Sequence, residues 1–233
     1  MLISGINRFS LIEFPGEICS VIFTLGCNFR CDYCHNSEFV LPEKIAKLKT
    51  NIIPQKAIFN FLESRKGQLS GVSICGGEPT MQKDLFEFCK KVKSMGFLVK
   101  LDTNGRDPDI LQKLLAEKMV DYIAMDIKQE IGKFSEVAGV ELDETNYLKS
   151  IDIILNSNIN YEFRTTVIKG VHSKENIGNI AKYIKNAKSY FLQNFRPGIT
   201  LNPNFQGESF SRMELEELKS EAEKYLKKVA IRN

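Results

Sequence analysis

Short apolar runs alternate with helix-like segments along most of the chain, and this alternation limits the folds that the chain can adopt. The runs are rich in Val, Ile and Phe and have the length of buried strands. Strands that alternate with helices are typical of successive βα units around a parallel sheet. We expect strands at Ile18–Leu25, Gly71–Cys75, Phe97–Asp102, Val120–Lys128, Tyr161–Ile168 and Ser189–Phe195.

Helix signals fill the intervals between these strands. Ser, Asp or Pro stands at several expected helix starts, and Gly follows some of the expected helix ends. The predicted helices cover Pro54–Lys66, Leu85–Met95, a segment opening at Asp107, Asp143–Leu155, a segment opening at Ser173 and a C-terminal segment opening at Ser211. A short final strand is expected at Lys228–Arg232, whereas Asn36–Ile53 shows no clear periodicity.

The number of βα units predicts an open, partial barrel. Six units are fewer than the eight that close a TIM barrel of typically about 250 residues. The sequence shows no internal repeat, no low-complexity tract and no linker rich in Gly, Ser and Pro. The fold class is therefore predicted to be α/β, a partial and open (β/α)6 TIM-like barrel. Residues 1–233 are expected to form a single domain, with 1–17 as an N-terminal extension and 211–233 as a C-terminal helix and short strand.

Charge and hydropathy argue against two classes of partner. The 32 Lys and Arg are interspersed among 29 Asp and Glu, and the net charge is +3, which gives little support to nucleic-acid binding. Residues 1–15 lack the uninterrupted apolar stretch of a secretory signal, and no apolar run approaches the roughly 18 residues of a membrane span. We expect a cytoplasmic protein that binds neither nucleic acid nor a membrane.

Three of the six cysteines lie within eight residues, directly after the first predicted strand. These are Cys27, Cys31 and Cys34. Loops at the C-terminal ends of strands are where α/β folds place their chemistry. Spacings of three and two residues allow one short loop to bind three corners of a [4Fe–4S] cluster, each iron taking one thiolate. The fourth iron would then be open to a small molecule.

Two simpler interpretations of this loop stay open: a zinc site of three cysteines and His35, or thiols without a metal. A structural zinc usually has four tetrahedral ligands. The side chains of the adjacent residues Cys34 and His35 do not readily bind one ion together. No fourth cysteine lies nearby to complete a ferredoxin site. The remaining cysteines are interpreted as structural, and these are Cys19, Cys75 and Cys89. His172 is interpreted as a surface or capping residue without a role.

Polar motifs fall near the ends of the next strands. The turn Gly76–Pro79 follows the second strand, and its glycines would allow a ligand to approach the backbone closely. Asp102–Gly105 ends the third strand. Asp126 and Lys128 lie two residues apart on the fourth strand, so both point to one face. Each motif alone could be a turn or a solvated edge, but their joint placement at strand ends favours a ligand site.

The loop Cys27–Asn36, with an aromatic residue before its last cysteine, resembles the radical S-adenosylmethionine (SAM) superfamily. This resemblance implies one [4Fe–4S] cluster on Cys27, Cys31 and Cys34, with SAM at the open iron. It implies SAM contacts from Tyr33, Cys34, His35, Gly76, Gly77, Glu78, Asp102, Asp126, Lys128 and Arg164. It also implies a monovalent cation at Asp102, Thr103 and Asp126.

The same resemblance assigns a part of SAM to each group of residues. Gly77 and its neighbours would bind the amino group. The adenine would lie beside Tyr33, Cys34 and His35. The carboxylate and ribose would be oriented by Asp102, Asp126 and Lys128.

The chain resembles one branch of this superfamily, the activating enzymes of glycyl-radical enzymes, at Cys27–Asn36, Asp102–Gly105 and Asp126–Lys128. The opening Phe9–Gly16 and the late Leu192–Pro197 narrow the resemblance to activating proteins of anaerobic ribonucleoside-triphosphate reductase, over nearly the whole chain. Glu13 departs from that pattern, because aspartate is expected there. Asn204 stands near where the pyruvate formate-lyase activase has a histidine, which favours the reductase activator. No cysteine lies between His35 and Ile74, so we expect no ferredoxin-like insert and a single cluster.

The resemblance also implies a mechanism. A reduced flavodoxin or ferredoxin would supply an electron, SAM would be cleaved reductively, and a 5′-deoxyadenosyl radical would remove the α-hydrogen of a glycine. The partner would be the large subunit of the anaerobic ribonucleotide reductase. Alternatives are an activase of the pyruvate formate-lyase type, a peptide-modifying radical SAM enzyme and, from another class, an iron–sulfur electron carrier or a zinc-binding module.

Overall fold

The computed structural model describes residues 1–48 and 52–232. Its strands are β1 Ile3–Ser10, β2 Cys19–Thr24, β3 Gly71–Gly76, β4 Leu98–Thr103, β5 Tyr122–Asp126, β6 Asn160–Val167, β7 Tyr190–Asn194 and β8 Val229–Arg232. Its helices are α1 Pro42–Leu48, α2 Gln55–Glu63, α3 Leu85–Ser94, α4 Pro108–Ala116, α5 Phe134–Ala138, α6 Glu144–Leu155, α7 Lys174–Tyr183 and α8 Arg212–Ala222.

The fold is α/β, as predicted. The strands follow one another in the sheet in chain order, from β1 to β8. Strand β1 pairs antiparallel with β2, whereas β2 with β3, β3 with β4, β6 with β7 and β7 with β8 are parallel pairs. In the described residues the order does not return from β8 to β1, so the predicted open sheet is confirmed. Strands β2 to β7 are the six strands that the apolar runs predict.

Three elements were not predicted, and each carries a weak hydrophobic signal. Strand β1 lies in the segment predicted as an extension; Ile3 is buried but Asn7 and Arg8 are exposed, so the alternation of a half-buried strand is incomplete. Helix α1 lies in the stretch Asn36–Ile53 and has no buried residue. The end of that stretch includes residues 49–51, which lie outside the described residues. Helix α5 has only five residues, too few for a periodic pattern.

The chain folds as two compact units. The first comprises Met1–Asn28, Asn36–Thr103 and Asp109–Ile123, and the second Phe29–His35, Asn104–Pro108 and Ala124–Asn233. A single domain for the whole chain stays a prediction. The two units are described separately below.

In the first unit, neighbouring strands β3 and β4 present two faces of different character. Val72 and Ile74 on β3 are fully buried, as are Val99 and Leu101 on β4. Between them on β4 stands Lys100, whose register partner on β3 is Ser73. Since successive side chains alternate between the faces of a strand, this lysine and serine share the face opposite the apolar residues. One face of these two strands is therefore apolar, and the other carries buried polar groups.

In the second unit, the predicted helix starts are confirmed. Ser173 caps α7 and Ser211 caps α8, each with a complete capping box in which the N3 side chain bonds back to the cap. On β6, Phe163 is fully buried, and the neighbouring Glu162 is also buried but forms a bidentate ion pair with a C-terminal arginine. The buried Glu162 is therefore paired, which offsets the free energy of its desolvation.

No helix in the described ranges combines the length and the apolar character that crossing a membrane requires.

Candidate functional site

In the first unit, the turn after β3 packs against the backbone that leads to Cys27. The Gly77 amide donates to the Thr24 carbonyl at 2.9 Å, and the Glu78 amide donates to the Gly26 carbonyl at 2.7 Å. A Cβ on Gly76, whose φ is +113°, would lie 2.3 Å from the Thr24 nitrogen, and a Cβ on Gly77 would lie 2.0 Å from the Gly26 oxygen. Both positions therefore require glycine for the close approach of the chain itself, before any ligand is considered.

Glu78 links this turn to the end of β4. The side chain is buried, and its Oε1 accepts hydrogen bonds from the Thr80 amide at 3.1 Å, the Thr80 hydroxyl at 2.7 Å and the Thr103 hydroxyl at 2.8 Å. These contacts position the predicted SAM-binding turn and the predicted cation ligand Thr103 together.

Asp102, also on β4, forms an ion pair with Lys100. The Lys100 side chain is only 2% exposed and that of Asp102 is 15% exposed. A lysine buried to this degree is rare without a charged partner. The carboxylate that the family resemblance assigns to SAM and to a cation therefore lies beside an ammonium group of the protein.

In the second unit, the cysteine loop rests on the end of α5. The Arg30 amide donates to the Ala138 carbonyl at 2.7 Å, and the Cys31 sulfur lies 3.9 Å from the same oxygen. The residue after the helix is Gly139, at φ +65°, where a Cβ would lie 2.3 Å from the Arg30 oxygen. This support was not predicted from the sequence; a glycine directly after the apolar Val137-Ala138 was the only signal of a helix end here.

The three predicted cluster ligands differ in exposure. Cys31 is buried, whereas Cys27 and Cys34 are half-buried, and all six cysteines of the chain are thiols. Burial raises the pKa of Cys31, and the nearby Lys128 only partly opposes this effect. Iron would therefore have to displace the proton of this thiol. Within residues 1–48 and 52–232, no three His, Cys, Asp or Glu side chains already lie close enough to hold a metal ion.

Aromatic rings surround the end of the cysteine loop. The His35 imidazole stacks on Phe195 with ring centres 5.6 Å apart, and its Nδ1 lies 3.0 Å from the Ile199 oxygen. The Tyr33 ring is buried at 6.5 Å from Phe195 and 6.4 Å from Phe205. Its hydroxyl has no hydrogen-bond partner in the described part of the chain. These contacts hold the His35 ring against other groups, which weakens the alternative of a zinc site.

Asp126 is held between two cations. Its carboxylate accepts from Arg164 Nε at 2.9 Å and from Lys128 Nζ at 2.9 Å. Burial alone would raise the pKa of Asp126, but the two cations outweigh this effect and lower the pKa to about 2. Lys128 also lies 5.8 Å from the centre of the Tyr33 ring. Lys128 and Arg164 are groups of the kind that bind anionic ligands.

The backbone that carries these charges is fixed by buried hydroxyl groups. The Tyr147 hydroxyl donates to the Asp126 carbonyl at 2.5 Å and accepts from the Lys128 amide at 3.3 Å. The Thr165 hydroxyl donates to the Ile127 carbonyl at 2.8 Å. The Tyr190 hydroxyl in turn lies 2.7 Å from that of Thr165. The sequence predicted none of these three hydroxyl contacts, because their residues look like ordinary core positions.

His172 completes this arrangement, and its interpretation as a surface residue is wrong. The imidazole is buried, with Nε2 at 2.9 Å from the Lys128 carbonyl and Nδ1 at 3.2 Å from the Ile168 amide. The contact with Lys128 joins residues 44 positions apart in the sequence, so no local pattern could predict it.

The predicted site residues are thus organised in two sets, one on each unit. The set on the first unit comprises Cys27, Gly76, Gly77, Glu78, Asp102 and Thr103. The set on the second unit comprises Cys31, Tyr33, Cys34, His35, Asp126, Lys128 and Arg164. Each set combines residues from several strand ends, as expected for a ligand site in an α/β fold.

Comparison with known proteins shows which family this chain is similar to. Residues 21–184 match the model of the Radical SAM superfamily. A Methanocaldococcus jannaschii protein, named provisionally as a glycyl-radical enzyme activating enzyme, is 36% identical over 99% of this chain and 95% of its own length. The pyruvate formate-lyase-activating enzyme of Clostridium pasteurianum is 28% identical over 97% of both chains.

Solved structures show the same fold. Streptococcus suis SuiB, solved with its precursor peptide SuiA, superposes with a TM-score of 0.71 at 17% identity, over 91% of this chain and 48% of SuiB. Members of the superfamily carry a [4Fe–4S] cluster on three cysteines and use SAM. This chain therefore belongs to the radical SAM superfamily, as an enzyme of the glycyl-radical enzyme activating group that uses these two cofactors.

Proposed function

We propose that this enzyme generates a glycyl radical on the large subunit of an anaerobic ribonucleoside-triphosphate reductase. The observation that carries the activity is the similarity to the M. jannaschii relative, which extends over nearly the full length of both chains. The choice of the reductase rests on the segments Phe9–Gly16 and Leu192–Pro197 and on Asn204, where the lyase activase pattern differs.

We assign the cluster to Cys27, Cys31 and Cys34. The donor set fits, because the three side chains are thiols in one loop and the His35 ring contacts Ile199 and Phe195. When bound, the cluster supplies the electron for reductive cleavage of SAM, which provides the oxidising power for hydrogen abstraction from glycine. The contribution of α5 is to hold the backbone between the first two ligands, through the Arg30 amide.

We assign the polar contacts of SAM to the residues that the family resemblance names. The turn Gly76–Glu78 would bind the amino group. Asp126, Lys128 and Arg164 would orient the carboxylate and ribose, because ammonium and guanidinium groups bind carboxylates. Asp102 would contribute to the same task. The aromatic and polar surface of Tyr33, Cys34 and His35 would border the adenine. The buried Tyr33 hydroxyl gives this surface a hydrogen-bonding group for a ligand.

Pyruvate formate-lyase is a second candidate partner. The similarity of the chain to the C. pasteurianum lyase-activating enzyme over 97% of both chains favours it. The two candidates share the chemistry and differ only in the protein that presents the glycine. A reduced flavodoxin or ferredoxin is proposed as the electron donor for either.

The experiment is electron paramagnetic resonance of each candidate partner after incubation with reconstituted enzyme, SAM and reduced flavodoxin or ferredoxin. We expect a glycyl-radical doublet on the reductase subunit and none on the lyase. A signal on the lyase alone would identify the second candidate instead. Cys31→Ala should abolish the signal, whereas Cys89→Ala, at a buried cysteine of α3, should retain it.

Formation of 5′-deoxyadenosine is measured in parallel. If SAM is cleaved but neither partner protein carries a radical, the chain is a radical SAM enzyme that acts on another substrate. No cleavage by fully loaded enzyme would contradict the proposed function as a whole.

A further inference from the structure

The ion pair between Lys100 and Asp102 is unusual because the lysine is not part of any motif that suggested the site. The Lys100 side chain is 2% exposed, on a strand whose alternate residues Val99 and Leu101 are fully buried. Its register partner Ser73 has a buried hydroxyl without a hydrogen-bond partner among the described residues. Asp102 therefore provides the compensating negative charge that a buried ammonium requires.

This contact bears on the monovalent cation that the family resemblance implies. One implied ligand, Asp102, already lies beside the Lys100 ammonium. The other implied carboxylate, Asp126, binds Lys128 and Arg164 within the second unit. The third, Thr103, donates its hydroxyl proton to Glu78. Each of the three residues thus has a partner inside its own unit.

We propose that the Lys100 ammonium replaces a monovalent cation at Asp102, so that this enzyme binds SAM without sodium or potassium. A fixed ammonium and a free cation would compete for the same carboxylate, and two adjacent positive charges repel each other. The tethered group has the advantage because it loses no translational freedom on binding. The inference extends the proposed function to its ion requirement and does not depend on which protein is activated.

The test compares potassium, sodium and tetramethylammonium chloride at equal ionic strength. Tetramethylammonium maintains screening but is too large for a site built for the smaller ions. For the wild-type enzyme, we expect the SAM dissociation constant of the cluster-loaded protein and the thermal unfolding midpoint to be the same in all three salts. A tenfold gain in SAM affinity with sodium or potassium, or a selective rise in the midpoint, would overturn the proposal.

The Lys100→Met variant is designed to create the ion requirement. It retains the length of the side chain but leaves Asp102 without this ammonium, and the midpoint should fall by about 10 °C. Sodium or potassium should restore part of this loss, whereas tetramethylammonium should not. A variant equally stable in all three salts would contradict the replacement of one cation by the other.

The double variant Lys100→Met/Asp102→Asn is the matched control. It removes both charges, so its midpoint should not depend on the cation and should exceed that of Lys100→Met. If Lys100→Met does not fold, the wild-type comparison decides. None of these measurements uses a glycyl-radical partner. Their outcome therefore does not depend on whether the partner in the proposed function is correct.

Discussion

The imidazole of His172 donates a hydrogen bond to the main-chain oxygen of Lys128, with Nε2 2.9 Å from that oxygen. The proton lies on Nε2 because Nδ1 accepts a hydrogen bond from the Ile168 amide. A protonated ring could not accept from Ile168, so the contact requires neutral histidine. The position of Lys128 is thereby linked to the loop that follows β6.

Replacement of His172 by glutamine should remove a pH dependence of stability. Burial lowers the pKa of His172, so the unfolded chain takes up a proton at a higher pH than the folded protein does. The free energy that neutral His172 contributes to folding is fully present above about pH 6.5, the pKa of this histidine in the unfolded chain. It is lost as the pH falls below that value. We expect the free energy of unfolding to decrease between pH 7 and pH 5 by up to about 1.4 kcal/mol per pH unit.

Urea denaturation at several pH values measures this slope. His172→Gln should also cost about 1–3 kcal/mol at pH 7.5, because buried backbone groups lose a partner. The control is His35→Gln, which replaces the other histidine, an exposed one. In His35→Gln, the free energy of unfolding should depend on pH as it does in the wild type. If His172→Gln also retained this pH dependence, other titratable groups would be its cause.

Tyr147→Phe should destabilise the Asp126–Lys128 backbone while the core packing is retained. The Tyr147 ring lies 4.2 Å from that of Phe134, and this contact would remain. The lost hydroxyl leaves the Asp126 carbonyl and the Lys128 amide without that partner, at a cost of about 1–3 kcal/mol. The affinity of the cluster-loaded variant for SAM, measured by calorimetry, should fall together with its stability.

Tyr190→Phe provides the comparison for this prediction. Its hydroxyl contacts the Thr165 side chain and not the Asp126–Lys128 backbone directly. We expect a loss of stability but a smaller loss of SAM affinity than for Tyr147→Phe. Equal effects on affinity would show that the two hydroxyl groups act only through general stability.

The sequence was sufficient for those features that local patterns determine. Strands β2 to β7 follow from apolar runs, and the starts of α7 and α8 follow from Ser173 and Ser211, because a cap acts on the next few residues of its own helix. The cysteine loop was found from its spacing, its position directly after a predicted strand and the aromatic residue before its last cysteine. Strand β1 was missed because most of its residues are partly or fully exposed, so its pattern was too weak.

The supporting residues could not be found in the same way. The contact of the Arg30 amide with Ala138 and that of His172 with Lys128 join segments far apart in the chain. Such pairs depend on how the elements pack, and a single sequence carries no signal for them. The two glycines after β3 were recognised, but their contact with Thr24 and Gly26 was not.

Gly77→Ala should impair cluster loading. The new methyl group would lie 2.0 Å from the Gly26 oxygen, so the backbone directly before Cys27 would have to move. We expect less iron and acid-labile sulfide per protein after anaerobic reconstitution than in the wild type. Gly5→Ala is the control, because its methyl group would meet the Phe23 side chain at an ordinary 3.6 Å. Full loading of Gly77→Ala would show that this close contact is not needed.

Asp126→Asn should change how stability depends on acid. The pKa of Asp126 is lowered to about 2, so the folded protein retains the ionised carboxylate below the pKa of about 3.9 in the unfolded chain. The free energy that the ionised Asp126 carboxylate contributes to folding is present above pH 4 and is lost as the pH falls toward 2. The difference in unfolding free energy between wild type and Asp126→Asn should therefore narrow by about 1 kcal/mol between pH 6 and pH 3.

Lys128→Met provides an independent check of the cause, because it removes one of the two cations that lower the pKa of Asp126. Arg164 alone should hold that pKa less far below its usual value. The loss of stability between pH 6 and pH 3 should then be smaller in Lys128→Met than in the wild type, because the folded and unfolded pKa values of Asp126 lie closer together. Denaturation curves at pH 6, 4 and 3 measure both effects. A difference between wild type and Asp126→Asn that stays constant with pH would show that the ion pairs do not stabilise the folded protein.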